Sequence, residues 1–199
     1  MWKKVLVVTL VLAGAAGVGA AELVGVRGSN TQFTTTMDWT VNDKPVKLVL
    51  TGVALRQKLV FNVYAIASYV QEGASVRSAE ELTALNAPKQ LHLVMERTVD
   101  GKDMADAFRS AIRLNHREPA FADEVAELAD KLQAGSAYKG DHIYLTHLPG
   151  VGLQVKVAGR DEFVIRNADF SRAVWDIYLG GNNLGESIKR GLTDRLPNN

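Results

Sequence analysis

Leu59-Val60-Phe61-Asn62-Val63-Tyr64-Ala65-Ile66-Ala67-Ser68-Tyr69-Val70 is the stretch on which the fold turns. Leu59, Phe61, Val63, Ala65, Ala67 and Tyr69 occupy one set of alternating positions, the period of a β-strand. The other set, Val60, Asn62, Tyr64, Ile66 and Ser68, is also largely apolar or amphipathic. A strand apolar on both faces runs through the middle of a protein, or has one face on a cavity. Upstream, Val46, Leu48 and Leu50 alternate with Lys47 and Val49, so the whole segment from Trp39 to Val70 reads as strands. Arg56-Gln57-Lys58 separates the two runs and is the expected hairpin tip. Before them comes a polar, Gly-containing lead-in from Val24 to Thr36.

Downstream, Ser78-Ala79-Glu80-Glu81 forms a capping box, in which the serine hydroxyl accepts from the N–H three residues on and the glutamate reaches back. It predicts a short helix ending near Asn86, before Pro88. Gln90 to Arg97 alternates as another strand. Past Gly101 the period becomes helical: Met104, Ala107, Phe108, Ala111 and Ile112 share one face, and after Pro119 so do Phe121, Val125, Leu128 and Leu132. Strands return over His142–Leu148, Leu153–Val157 and Glu162–Ile165, with turns at Pro149-Gly150-Val151-Gly152 and Gly159-Arg160. A helix carrying Phe170, Ala173, Val174, Ile177 and Tyr178, then a short one around Ile188, closes the chain. This order predicts an α+β domain with an antiparallel sheet packed by helices.

Trp2-Lys3-Lys4, an apolar run from Val5 to Val18, and Gly19-Ala20-Ala21 before Glu22 read as a secretory signal peptide over residues 1–21. One domain spanning residues 22–199 is then expected in the periplasm or secreted. The sequence holds no cysteine, which excludes disulfides, thiolate metal sites and cysteine nucleophiles. Without Lys3 and Lys4 the basic residues number 21 against 22 acidic ones. A nucleic-acid binder shows a basic excess or stripe. The expected partner is a small molecule or another protein, with no nucleic acid and no cofactor.

His92, His116, His142 and His147 lack metal-ligand spacing, and surface or loop positions are expected for them, with no metal. Pro149-Gly150-Val151-Gly152 lacks the Gly-Lys-Ser/Thr of a phosphate loop, and no G-x-S-x-G elbow is present. Arg56 at the edge of an apolar sheet suits the carboxylate, phenolate or enolate of a hydrophobic ligand. Tyr64, on the less uniformly apolar face, suits a hydrogen bond to a ligand oxygen; Tyr69 has the opposite parity. On chemistry alone the plainer reading leads: an exposed arginine at a turn, and two tyrosines packing their rings in the core.

Three ordered stretches resemble the chalcone isomerase family, in its bacterial exported branch. Gly52-Val53-Ala54-Leu55-Arg56 with Lys58, Phe61, Val63-Tyr64-Ala65 and Tyr69 is similar to a G-x-G-x-R strand followed by K-x-Y/T-A-x-x-x-Y. Tyr144 precedes the Pro149-Gly150-Val151-Gly152 hairpin. Ile165 to Asp169, then Phe170, Ala173, Trp175, Ile177, Tyr178, Leu179 and Gly180, resembles the closing F-x-x-A-x-x-x-I-W-L-G helix. The resemblance implies an open-faced β-sandwich, an antiparallel sheet wrapped by helices. It places the arginine that polarises a chalcone on Arg56, the only catalytic candidate. The family's threonine on the next strand falls on Tyr64, and the catalytic tyrosine has no counterpart in Gly101-Lys102-Asp103-Met104. Non-catalytic members hold a fatty-acid carboxylate with an arginine and a tyrosine, so the resemblance implies Arg56 and Tyr64 as ligand-binding residues. The expected function is binding of a small amphipathic molecule, a fatty acid or phenolic compound, without chalcone isomerisation. Its rivals are an isomerase or lyase acting on another conjugated enone, and an envelope interaction protein.

Overall fold

The computed structural model describes residues 22–197 except 42 and 158, and the leader expected at 1–21 lies outside the described residues. Seven strands, β3 (Thr36–Val41), β4 (Lys44–Lys58), β5 (Phe61–Gln71), β6 (Lys89–Met95), β7 (His142–Leu148), β8 (Gly152–Val157) and β9 (Phe163–Ile165), form one antiparallel sheet in chain order. The polar lead-in contains two further short strands. Leu23–Gly25 (β1) and Gln32–Thr34 (β2) pair as a separate two-stranded ribbon that buries Val26 and Phe33 against the sheet. Its strands are three residues each with few apolar positions, too short for alternation to register.

The hairpin tip also differs from expectation. β4 runs on through Lys58, Arg56 pairs with Tyr64, and the turn is Leu59-Val60. Neither residue is an ordinary turn former, and Leu59 adopts φ 57°, where Asn or Gly is usual. The Gln57 amide donating to Asn62 Oδ1 at 2.8 Å holds the strands together just before the turn.

Strand β5 is apolar on both sides because both sides are covered. Ile66 joins Leu91, Leu93, Ile143, Leu145, Leu153 and Val155 in a core beneath the helices, while Ala65, Ala67 and Tyr69 meet Leu48, Leu50, Val26 and Phe33 on the other face. The sheet is strongly curled. Trp39 on β3 and Tyr144 on β7 are separated by three strands, about 19 Å in a flat sheet, yet their rings lie 4.9 Å apart.

Among the described residues five helices wrap one face: α1 (Ala79–Ala84), α2 (Gly101–Ile112), α3 (Ala122–Gln133), α4 (Ala168–Leu179) and α5 (Glu186–Thr193). Ser78 Oγ accepts from the Glu81 N–H at 3.1 Å, as the capping box predicts. The Asp100 carboxylate caps α2 from the Lys102 N–H at 2.8 Å. Helix α4 is nearly all interior, with Phe170, Ala173, Val174, Trp175, Ile177, Tyr178 and Leu179 buried. The α+β class and the helix-wrapped, open-faced sheet hold.

The histidines are not all superficial. His147 is 1 % exposed and His92 8 %. His147 Nδ1 lies 2.9 Å from Ser171 Oγ and Nε2 lies 3.2 Å from Asn86 Oδ1, so the buried imidazole is satisfied while neutral. His92 stacks on Tyr144 and shares a 2.7 Å hydrogen bond with His142. Burial pushes His147 down to about 4, with the charges of Lys89 and Arg172 adding, and pushes His92 down to about 3. Among the described residues no three His, Asp or Glu side chains converge on one point.

Candidate ligand cleft

A cleft of about 520 Å³ opens between the ends of β4, β5 and β6 and helix α2. Its walls are apolar where Leu93 and Met95 of β6 face Met104, Phe108 and Ala111 of α2, with Ile177 of α4 at the back. These are the helix-face positions predicted by the 3.6-residue period. The period predicted that they face the sheet; only the fold shows that they leave space over it. A volume of this size lies within the ~300–1,000 Å³ typical of small-molecule sites.

Arg56 and Tyr64 both line this cleft, on adjacent strands and directly opposite one another in register. The guanidinium is held by one nitrogen: Arg56 Nη1 donates to the carbonyls of Gln57 at 3.0 Å and Leu184 at 3.2 Å. Among the described residues no carboxylate pairs with it and no acceptor meets Nε or Nη2. Those two nitrogens are the edge of the fork that grips a carboxylate with two parallel bonds. Tyr69, of the opposite parity, lies on the other face and donates to Thr34 O at 2.9 Å.

Tyr178 joins the pair and was not singled out from the sequence. Its hydroxyl lies 3.4 Å from that of Tyr64. Ordinary O–H···O bonds are ~2.7–2.8 Å, so the two phenols touch only loosely and keep donor capacity for a third oxygen. Burial raises the Tyr64 pKa, opposed by the Tyr178 bond and the Arg56 charge, and raises that of Tyr178 still further. Both are neutral O–H donors at physiological pH. The motif carried the signal: where the closing helix pattern has tryptophan, this chain has Tyr178, a residue with a hydroxyl.

Of the carboxylates near the cleft, Asp103 is exposed at its rim, and the others are occupied or set back. Asp106 is paired with Lys102 at 3.0 Å and Arg109 at 2.6 Å. Glu96, just past the end of β6, accepts from the hydroxyls of Ser29 and Thr31. The cleft therefore combines a free guanidinium edge, two neutral phenols and apolar walls.

A family model described as chalcone isomerase-like matches residues 29–193. The chain belongs to the chalcone isomerase-like family. Among solved structures it is similar to a fatty-acid binding protein of Arabidopsis thaliana, with a TM-score of 0.67 and 17 % identity over 87 % of this chain and 96 % of that one. At that identity the likeness carries the fold. Comparison with curated protein sequences gives no match.

The chalcone isomerase-like strand pattern has a packing reason in this chain. A Cβ on Gly52 would sit 2.0 Å from the Gly191 carbonyl oxygen, so only glycine lets β4 pass under α5. The pattern's second glycine is Ala54 here, and its methyl fits because Gly191 stands opposite; a Cβ built on Gly191 would lie 3.1 Å from it. Thr51 Oγ1 donates to Leu192 O at 2.8 Å and closes the contact. This contact seats the C-terminal segment beside β4, where the Leu184 carbonyl steadies Arg56.

Proposed function

We propose that this chain binds a small amphipathic anion, a fatty acid or a phenolic compound, with its head group on Arg56 and its hydroxyl partners Tyr64 and Tyr178. The apolar tail lies between β6 and α2. The observation that carries this reading is the guanidinium edge, unpaired among the described residues, at a cleft whose other walls are largely hydrocarbon. A buried anion needs such a partner, since desolvating an unpaired carboxylate is prohibitive. The fatty-acid binding relative supports the same reading.

The test is titration of the purified protein with a fatty acid, a phenolic acid and the fatty acid's methyl ester, read by native mass spectrometry and fluorescence displacement. Arg56→Ala should weaken the carboxylates about 10- to 100-fold, the range for a charged hydrogen bond, and leave the ester unaffected. Equal affinity for acid and ester in the parent protein would defeat the proposal. We further propose that the protein works outside the cytoplasm after loss of residues 1–21, which the Lys3-Lys4 and apolar-run pattern supports. An intact Met1 on secreted material would exclude that.

A second reading, an isomerase or lyase acting on a conjugated enone, is favoured by the same two neutral phenols beside a cation, since together they would stabilise an enolate oxygen. Turnover of an enone panel that vanishes in Arg56→Ala would select it. Binding without turnover would select the first reading.

A further inference from the structure

The turn joining β4 to β5 carries three consecutive large apolar side chains in solvent: Leu59 is 90 % exposed, Val60 83 % and Phe61 58 %. Leu59 is also held at φ 57°, a left-handed conformation that costs a branched side chain energy and that Asn or Gly takes freely. Neither the core nor the turn geometry calls for these residues. The tip's surroundings are basic. Arg56 and Lys58 flank it on β4, and exposed Arg97 follows the end of β6 that pairs beside Val63. Arg27 belongs to the loop that Asn62 grips through the Gly28 carbonyl at 3.0 Å. The nearby acids are Glu96, bonded by Ser29 and Thr31, Asp106, paired with Lys102 and Arg109, and exposed Asp103. Arg56, Lys58, Val63 and Arg97 line the cleft as well as the base of the tip, and Leu114, 42 % exposed, lines it from the end of α2.

We propose that this tip docks on an anionic lipid bilayer, with Leu59, Val60 and Phe61 entering the interfacial layer and Arg27, Lys58 and Arg97 meeting the head groups. The surface is too small for another partner: a stable protein interface takes roughly 800 Å² per side, and three side chains at a turn supply far less. An apolar apex ringed by cations is what interfacial insertion requires. The docking stands on the tip alone. That it delivers cargo rests on the ligand reading above, since the cleft mouth then faces the membrane from which an amphipathic ligand would come.

Because the chain has no cysteine, one fluorophore can be placed at will. The full chain is labelled with an environment-sensitive dye at Leu59→Cys, or at Ser75→Cys beyond the opposite end of β5. It is mixed with vesicles of phosphatidylcholine alone or with equal parts phosphatidylglycerol. The dye at position 59 should shift to the blue with the anionic vesicles and less so in high salt, while the dye at 75 stays unchanged. Leu59→Ser with Phe61→Ser should lower vesicle partitioning about tenfold, as expected when interfacial apolar area is lost. No response at 59, equal responses at 59 and 75, or a shift at 59 that grows with protein concentration without vesicles would each overturn the proposal. The last would mark self-association. Affinity for soluble ligand should stay within about twofold in the serine variant, so failure of docking and failure of the cleft reading remain separable.

Discussion

Gly191→Ala sets two effects of opposite sign against each other. Within the exposed interior of a helix, replacing glycine by alanine stabilises by about 1 kcal/mol. Gly191 lies in α5, and the new Cβ would fall 2.5 Å from the Val53 carbonyl oxygen and 3.1 Å from Ala54 Cβ. Carbon and carbonyl oxygen meet at about 3.3 Å or more, so the overlap is ~0.8 Å against strand backbone with no rotamer to relieve it. Overpacking of this kind costs about 1–3 kcal/mol, and rigid backbone puts it at the upper end. Relief by lifting α5 would break the buried bond from Thr51 to Leu192, at a similar cost. The net expectation is a loss of about 2 kcal/mol, which lowers Tm by about 4–8 °C in a domain of this size. Thermal unfolding followed by circular dichroism, with urea unfolding for the free energy, gives the comparison. An unchanged or raised Tm would mean that α5 does not press on β4 as described. The account of Gly52, and of the carbonyl that steadies Arg56, would fail with it.

Tyr178→Phe should leave Tm within a few degrees and weaken carboxylate ligands about two- to tenfold, as removal of one neutral hydrogen bond does, with no effect on methyl esters; titration calorimetry checks it, and equal loss for ester and acid would assign Tyr178 to the wall alone. Stability should rise from pH 5 to pH 9. His147, pushed down to about 4, and Lys89, pushed down to about 7 by burial with Arg172 adding, both bind fewer protons folded than unfolded. The unfolded chain therefore gains on acidification through about pH 6.5–4 for the histidine and through about pH 10.4–7 for the lysine. Above about pH 10 the buried tyrosines reverse the slope, since the unfolded phenols ionise first. Urea unfolding at several pH values reads the sign, and a flat or falling profile between pH 7 and 9 would refute the role given to Lys89.

Legibility followed how much chain each structural decision involves. β7 (His142–Leu148) and α4 (Ala168–Leu179) repeat their period several times, and their apolar positions alone place them. The β1–β2 ribbon spends six residues on pairing and buries only Val26 and Phe33 deeply, below what a pattern can carry. The turn was misread because Leu59-Val60 breaks turn chemistry, and a break of that kind marks positions kept for something other than folding. His147 was misread because its burial depends on Asn86 and Ser171, 61 and 24 residues away, which sequence spacing does not bring together. Arg56 and Tyr64 were singled out by strand parity and family pattern, and the fold brings both to one cleft. Tyr178, 114 residues from Tyr64, is joined to them only by the fold.

Why the cleft lies at this end of the sheet follows from α4. Phe170 and Trp175 are buried where α4 packs over β7 and β8, and the same helix ends at Leu179. Its last turn carries Tyr178, whose ring is 2 % exposed and whose hydroxyl reaches the edge of the packed region. Beyond that hydroxyl the sheet continues under α2, and Met95 and Phe108 line the open cleft there. A dry core ending in open space would leave apolar walls in water, which is unfavourable in proportion to area. A ligand tail relieves that cost, and the polar groups found at the boundary, two phenols and a guanidinium edge, match what its head group would need. The packing that closes one half of the sheet thus leaves the other half as the candidate site of the proposed ligand, and filling the gap tests this directly. Ala111→Phe should raise Tm and abolish binding together, whereas a rise in Tm with ligand affinity intact would place the ligand elsewhere.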